Sequence, residues 1–400
     1  MNKYIIDGNN IDSVELKCLL ISRGIKVDNA VYQRQKNAAR LSKSPLCCNC
    51  LLLSDSTVVQ LTDTSFHIRH LSAVLKWDNI RLLKYMRDLN TPFSLRMQDD
   101  RATLFYNDVE IDTVTFPPFS TFYRKKTVAG RSFVGNAVLQ GLDWVAFQCL
   151  WACEYAAAGQ PCQFCFSGAA FENAAKKGKE LPSAVPAPDV AEIVKYAITN
   201  DGVCNIQITG GSTFDGNIEA EHITEYLTAI AELEPHPVGE LLLYITPPAD
   251  ISLTDRYFAL GANRIGCSIE VWDIDRASKI TPGKVKITGR DRHLQVLEYI
   301  AQKYGHGKAF SNFIIGVEDF TTLAEGATRL AERGILPTAS VWIPMGRPVQ
   351  GSMKAPDIEY YRRVKELFAE LYTKYNLEPV KSKGLNVCVE REIWNYATNN

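Results

Sequence analysis

What this chain lacks narrows its reading first. No stretch approaches the ~20 apolar residues needed to span a bilayer, so a membrane-embedded protein is not expected. The opening MNKYIIDGNNIDSVELK has no basic region followed by an apolar run, so no secretory signal is expected and the chain reads as cytoplasmic. A dominant charge is missing too: 44 basic and 45 acidic residues leave a net charge of −1, with no long run of either sign. That balance gives no electrostatic reason to expect a nucleic-acid or membrane partner. Internal repeats and low-complexity segments are also absent.

What remains is an ordinary globular composition, 46% hydrophobic and 22% charged, long enough for two compact domains or one large domain with additions. Eleven cysteines stand out. Their number is odd and no export signal accompanies them, so clustered cysteines read as metal ligands rather than disulfides. Cys18, Cys149, Cys204, Cys267 and Cys388 are scattered, several among apolar neighbours, and read as small buried hydrophobes.

One group is different. Cys153, Cys162 and Cys165 lie in the stretch CEYAAAGQPCQFCF, directly after a predicted buried strand. Three thiolates in one loop can hold three corners of a [4Fe–4S] cluster, which leaves the fourth iron open for chemistry. A structural zinc completed by a ligand from elsewhere is the bland rival, although zinc sites favour paired short intervals and only one such pair occurs here. Cys149 is the alternative to Cys153 as first ligand.

Residues 1–135 show no regular alternation of strands and helices and read as an α+β accessory domain. They carry a helical start, strand candidates such as STVVQLT, and Cys47, Cys48 and Cys50 in a CCNC group. That group reads either as a second metal site or as packing, since adjacent cysteines point in different directions in extended chain. His67 and His70 in FHIRH read as polar packing. From residue 136 the pattern changes. Short apolar runs at 144–149, 205–209, 240–246, 264–271, 309–316 and 338–344 alternate with amphipathic segments near 187–200, 218–233, 251–260, 291–304 and 321–334. Six such strands with crossover helices predict a parallel α/β sheet, either open or a partial (β/α)6 TIM-like barrel, over 136–350. Residues 351–400 read as an amphipathic helix from Asp357 followed by a polar end.

Both architectures place functional residues at the carboxyl ends of strands. There the chain has the cysteine loop, the glycine turn TGGST (209–213), Ser268 and Glu270 on one face of the fourth strand, Gly316 after the fifth, and WIPMGRP after the sixth. Two glycine turns and a thiolate loop on one rim describe a small-molecule site. Trp151, Tyr155, Trp272, Trp342 and Arg347 are candidate lining residues, though aromatics near strand ends serve as core just as often. TGGST alone is also a tight turn, and Asp319 is also a helix cap.

With its aromatic residue before the last cysteine, Cys162-Gln163-Phe164-Cys165 resembles the second half of the cluster motif of the radical S-adenosylmethionine superfamily. The first interval departs, with eight residues where three are usual. The resemblance covers roughly 140–350 and is closest to the biotin-synthase, hydrogenase-maturase and menaquinone-pathway branches, whose pattern is similar to SIEVWD…ITPGK…GRDRH here. It implies a [4Fe–4S] cluster on Cys153, Cys162 and Cys165, with S-adenosylmethionine on the open iron. The contacts it implies for that molecule fall on Phe164, Thr209, Gly210, Gly211, Ser212, Ser268, Glu270, Arg290, Ile314 and Gly316. Ser212, Asn312 and Asp319 stand where the family commonly has an acidic residue, Gly and Glu. Arg290 is the implied carboxylate ligand, with Arg292 and Arg276 as alternatives. Glu270 and Arg290 read equally as a rim ion pair.

The activity implied is reductive cleavage of S-adenosylmethionine to a 5′-deoxyadenosyl radical that acts on a small molecule in cofactor or natural-product biosynthesis. A low-potential donor such as flavodoxin or ferredoxin would supply the electron. No cobalamin-binding Asp-x-His-x-x-Gly motif is present. The reading of another class is a non-catalytic or structural zinc or iron–sulfur protein on a barrel scaffold.

Overall fold

The computed structural model describes residues 3–28, 30–31, 49–61, 66–67, 91–117, 120–133, 135–165, 174, 178–180, 183–343 and 354–398. Cys47, Cys48, His70 and Arg347 lie outside the described residues, and His67 is described only as strand backbone.

The chain opens with an antiparallel hairpin, β1 (Lys3–Ile6) and β2 (Asn9–Asp12), turned by Asp7 and Gly8 at φ 50° and 75°. Helix α1 (Ser13–Arg23) follows at once because Asp12 and Glu15 form a capping box, each side chain accepting the other residue's backbone N–H. Then come β3 (Ile25–Val27), β4 (Asn49–Leu52), β5 (Val58–Leu61), β6 (Phe66–His67), β7 (Phe93–Gln98), β8 (Arg101–Tyr106) and β9 (Val109–Val114). A five-stranded sheet runs β6-β3-β7-β8-β9, with β4 and β5 as a separate pair.

The second sheet positions the site. Its seven strands run in chain order: β10 (Val138–Gln140), β11 (Trp144–Leu150), β12 (Asn205–Gly210), β13 (Leu241–Tyr244), β14 (Arg264–Gly266), β15 (Ala309–Ile315) and β16 (Leu336–Val341). The six from β11 onward are parallel, as the apolar runs predict, and form a curled partial TIM-like barrel. β10 is an antiparallel edge strand that the sequence pattern does not reveal: only three residues long, it is half-buried throughout. In β15 every residue is buried, as expected of a strand covered on both faces. Between the strands lie α2 (Glu154–Ala157), α3 (Ala187–Asp201), α4 (Asn217–Ala231), α5 (Ser252–Ala259), α6 (Ile274–Ile280), α7 (Arg290–Tyr304) and α8 (Phe320–Ala331).

The C-terminal segment is more structured than a polar end. After α9 (Ile358–Lys374), capped by Asp357 as expected, residues 378–389 run beneath the sheet and lead into α10 (Glu390–Thr398). The Asp143 carboxylate before β11 accepts from Lys383 N at 3.0 Å, and Val389 N donates to Ala339 O in β16 at 3.0 Å. The segment therefore reaches both the first and the last parallel strand. One apolar core runs from Tyr4 to Ile393, so the N-terminal elements pack continuously with the barrel. Buried charges tie the chain's two ends together: Lys17, 0% exposed, pairs with Glu392 at 2.5 Å, and Lys365 pairs with Asp12 at 2.6 Å. Removing one partner of such a pair costs about 3–5 kcal/mol, because the other is left charged and dry. Cys18, Cys149, Cys267 and Cys388 are buried as expected, whereas Cys204 is only half-buried. No described helix is long and apolar enough to cross a membrane.

Where the C-terminal segment meets the sheet, a cavity of about 20 Å³ is lined by Trp144, Tyr244, Thr338, Leu385 and Glu390. Trp144 Nε1 and Glu390 Oε2 are buried there without a partner, and burial pushes the Glu390 carboxyl up to about 7. The folded state therefore holds this proton more tightly than the unfolded chain, so stability falls as pH rises from the ordinary carboxylate range through about 7. Glu390→Gln is expected to raise the melting temperature at pH 8 and leave it nearly unchanged at pH 5. Equal effects at both pH values in thermal unfolding would contradict this origin.

Candidate active site

The site forms where the carboxyl ends of β11, β12, β14, β15 and β16 meet. Cys153 follows β11 and caps the single turn of α2; it is buried, while Cys162 and Cys165 are half-buried. The loop between them is held on two sides. On one side, Glu154 N donates to Ser212 O at 2.8 Å, and the Glu154 carboxylate accepts from Phe214 N, knitting the loop to the glycine turn after β12. A Cβ on Gly211 would lie 1.8 Å from the Ala152 carbonyl oxygen, so no larger residue fits there without moving the loop. On the other side, Gln163 N donates to Ile280 O at 2.8 Å and Gly283 N to Gln160 O at 3.1 Å. A Cβ on Gly283 would come within 2.5 Å of the Tyr155 ring.

Burial pushes the Cys162 thiol up, while the Lys284 ammonium pulls it back and Cys165, Glu270 and Cys153 push it further; these five groups share one electrostatic environment. Lys284 itself would be driven toward neutrality by burial, but Glu270, Cys162 and Tyr155 outweigh this and raise its pKa. Its Nζ donates to Ser268 O and, at 3.2 Å, to Glu270 Oε1. Glu270 Oε2 accepts from Asn312 Nδ2 at 2.8 Å, and Asn312 Oδ1 accepts from Ser340 Oγ at 2.9 Å, carrying the polar network across the barrel.

β14 ends at Gly266, so Ser268 and Glu270 do not share a strand face; Glu270 has a left-handed backbone, φ 71°, and reaches the Lys284 cluster from an isolated parallel bridge to Phe313. Arg290 is not beside Glu270. It stacks on the Trp272 ring at 4.5 Å and donates to Trp272 O, with burial lowering its pKa and Glu318 opposing that. Arg292 is spent on Pro248 and Ala249 carbonyls. Thus the charge partner of Glu270 is Lys284, in ITPGK, a residue sequence reading passed over because a lysine after a Pro-Gly turn looks like solvated surface.

Phe164 packs against a small apolar cluster of Val271, Ala277, Ile280, Ile314, Val317 and Trp342, separate from the main core. This brings Phe164 and Ile314 together at the rim. Gly316 follows, at φ 104°, its N–H donating to Tyr360 Oη at 2.9 Å. Asp319 begins α8 as expected, but its side chain makes no capping bond. Thr209, Gly210 and Ser212 are half-buried along the turn, and a Cβ on Gly210 would touch Cys149 Sγ at 3.0 Å. Cys149 is 0% exposed and burial raises its thiol strongly. Of the other candidate lining residues, Tyr155 and Trp272 are buried and Trp151 is half-buried.

The residues fit an iron–sulfur cluster by donor set. Among the described residues no three His, Cys, Asp or Glu side chains converge on one point as a single metal ion requires. A cubane asks for something different, because each thiolate binds its own iron. The Ala152 carbonyl takes the place a Cβ on Gly211 would need, which seats the loop, and Trp342 Nε1 is a buried donor without a partner beside the rim cluster, the kind of group a bound ligand satisfies. Gly211→Ala is expected to lower iron incorporation on anaerobic reconstitution severalfold while far-UV circular dichroism stays unchanged. Full iron content in that variant would show that the close approach does not position the loop.

No protein-family model matches the chain. A bacteriochlorophyllide c C-7(1)-hydroxylase of Chlorobaculum limnaeum is 26% identical over 260 residues, 62% of this chain and 64% of that protein, so the match spans less than two thirds of the relative. Among solved structures, a radical SAM methyltransferase from Sphaerobacter thermophilus superposes with a TM-score of 0.42 at 15% identity, over 81% of this chain and 89% of the other. Coproporphyrinogen III oxidase from Escherichia coli, a radical SAM enzyme, gives 0.37 at 15% identity, over 59% and 53%. The Cys153, Cys162 and Cys165 loop thus lies against the Gly211 turn at the carboxyl ends of the parallel strands, the place that the resemblance to the radical S-adenosylmethionine superfamily implies for it.

Proposed function

We propose that the chain binds a [4Fe–4S] cluster on Cys153, Cys162 and Cys165 and uses it with S-adenosylmethionine to act on a C–H bond of a small molecule. The observation that carries this is the cysteine loop pinned between Gly211 and Gly283, with Lys284 and Glu270 directly behind it. When bound, the cluster supplies a low-potential electron that cleaves the sulfonium to methionine and a 5′-deoxyadenosyl radical.

The rest is the work of the chain's own residues. Lys284 takes the role that the family pattern gives to Arg290 and binds the methionyl carboxylate, being the cation the fold brings to the loop. Glu270, fixed by Asn312 and Lys284, holds the amino group or the ribose, with Ser268 at its side. The turn Thr209, Gly210, Gly211 and Ser212 offers backbone groups to the amino end. Phe164, Ile314 and Gly316 form an apolar seat for the adenine, with the unpartnered Trp342 N–H beside it. Burial of these groups excludes water from a reactive radical. Residues 136–350 are the catalytic barrel, 1–135 an accessory domain and 351–400 a C-terminal extension. The name of the curated relative makes a bacteriochlorophyllide the first substrate to try.

Anaerobic reconstitution is expected to give about four irons per chain, with 5′-deoxyadenosine formed on reduction and addition of S-adenosylmethionine, and no product from Cys162→Ala. A colourless protein that loads zinc and never cleaves S-adenosylmethionine would sink this reading. Lys284→Met is expected to weaken S-adenosylmethionine binding by roughly 10–100-fold, the value of a charge-assisted hydrogen bond, with the iron content retained. Equilibrium binding to the reconstituted variant measures this, and unchanged affinity would remove Lys284 from the role.

A further inference from the structure

Beside the rim lies a cavity of about 430 Å³, within the size range of small-molecule sites. It is lined by Arg276 of α6, by Gly316, Glu318, Asp319 and Phe320 at the β15–α8 turn, and by Lys354, Pro356 and Tyr360 leading into α9. Three segments far apart in sequence thus wall one volume, and its charges are unequally committed. Glu318 is buried and spent: its carboxylate accepts from Trp272 N at 3.0 Å, Asp273 N at 2.8 Å and Thr322 Oγ1 at 3.2 Å. Tyr360 Oη is spent too, accepting from Gly316 N and donating to Glu318 O. Arg276 and Lys354 have no ion pair or side-chain hydrogen bond among the described residues, and neither does the Asp319 carboxylate. Among the described residues, two cations and one carboxylate without partners thus line one cavity. The amino terminus of the twelve-residue α8 opens here without a side-chain cap, which adds positive potential.

We propose that this cavity is the subsite for a carboxylate on the substrate, gripped by Arg276 and Lys354. It rests on the reading of the chain as a radical enzyme and adds the substrate class: a carboxylic acid, its carboxylate anchored next to Gly316. An arginine and a lysine suit this task together, the guanidinium fork fixing the plane of a carboxylate and the ammonium adding a point charge. Asp319, on the same wall, offsets part of that positive charge and can accept a hydrogen bond from a ligand that also bears a donor.

The test is a titration of the anaerobically reconstituted full chain with succinate, followed by saturation-transfer NMR, in the wild type and in an Arg276→Gln/Lys354→Gln double variant. Both side chains are exposed, and the folded state of the variant is checked by thermal unfolding. Saturable succinate binding in the wild type, weakened about tenfold or more in the double variant and restored by Arg276→Lys/Lys354→Arg, is the expected result; a tenfold change corresponds to about 1.4 kcal/mol. S-adenosylmethionine affinity and substrate-free 5′-deoxyadenosine formation are expected to stay within about twofold of wild type. No succinate binding, or equal binding in both proteins, overturns the subsite. So does a loss of S-adenosylmethionine affinity in the double variant, which would assign the cations to that molecule instead. Because the titration needs no turnover, it decides the subsite even where cleavage fails. Absence of cleavage with succinate binding intact would overturn the radical reading alone.

Discussion

The turn hydrogen bonds within the loop that carries Cys153, Cys162 and Cys165 shape it without fixing it to the sheet. Here two backbone approaches do the holding. Gly211 lets the Ala152 carbonyl come where a Cβ would otherwise sit, and Gly283 does the same for the Tyr155 ring and the Gln160 carbonyl. Neither has a left-handed backbone; what both provide is room. With the loop pinched between them, Phe164 falls onto the rim cluster with Ile314 and Trp342, and Cys162 comes within the field of Lys284. The rest of the site is arranged around that clamp.

Electrostatics then explains why a lysine is buried so close to the thiols. A glutamate in a partly dry rim needs a partner, because an isolated buried charge is strongly unfavourable. Lys284 supplies the opposite sign, and its other neighbours fix it in place: the Ser268 carbonyl, and Glu270 held from behind by Asn312. Because Asn312 is itself bonded to Ser340, and Ser340 approaches Cys388 at 3.3 Å, the polar chain runs from the rim down to the C-terminal segment. Satisfied networks of this kind hold side chains in one arrangement.

Much of this was legible in the residues. The six parallel strands announced themselves as apolar runs separated by amphipathic segments, because strands buried on both faces have no polar alternation to confuse the period. The loop of Cys153, Cys162 and Cys165 and the turn at Gly211 were visible as motifs. Other features were not. The run RIGCSIEV looked like one strand to 271, but the strand stops at Gly266 and Glu270 pairs with Phe313 only as an isolated bridge, with a left-handed backbone that side chains seldom adopt. Arg290 looked the better carboxylate ligand because arginine forks are; only the packing shows it committed to Trp272 while Lys284 faces Glu270. The stretch after α9 looked polar, yet Val380, Leu385, Val387 and Val389 are buried. Their apolar spacing was too short to read as an element.

The joining of the two ends sets an order of events during synthesis. The cysteine loop leaves the ribosome well before β16, the C-terminal segment and α10 exist, and Lys17 waits for Glu392, hundreds of residues later, before its charge is met. A barrel whose first and last parallel strands both dock on residues 378–389 cannot finish forming until nearly the whole chain has been made. Until then the thiols sit on an incomplete sheet, exposed to oxygen and to any passing metal. The final seating of the cysteine loop therefore belongs after release of the finished chain rather than during translation.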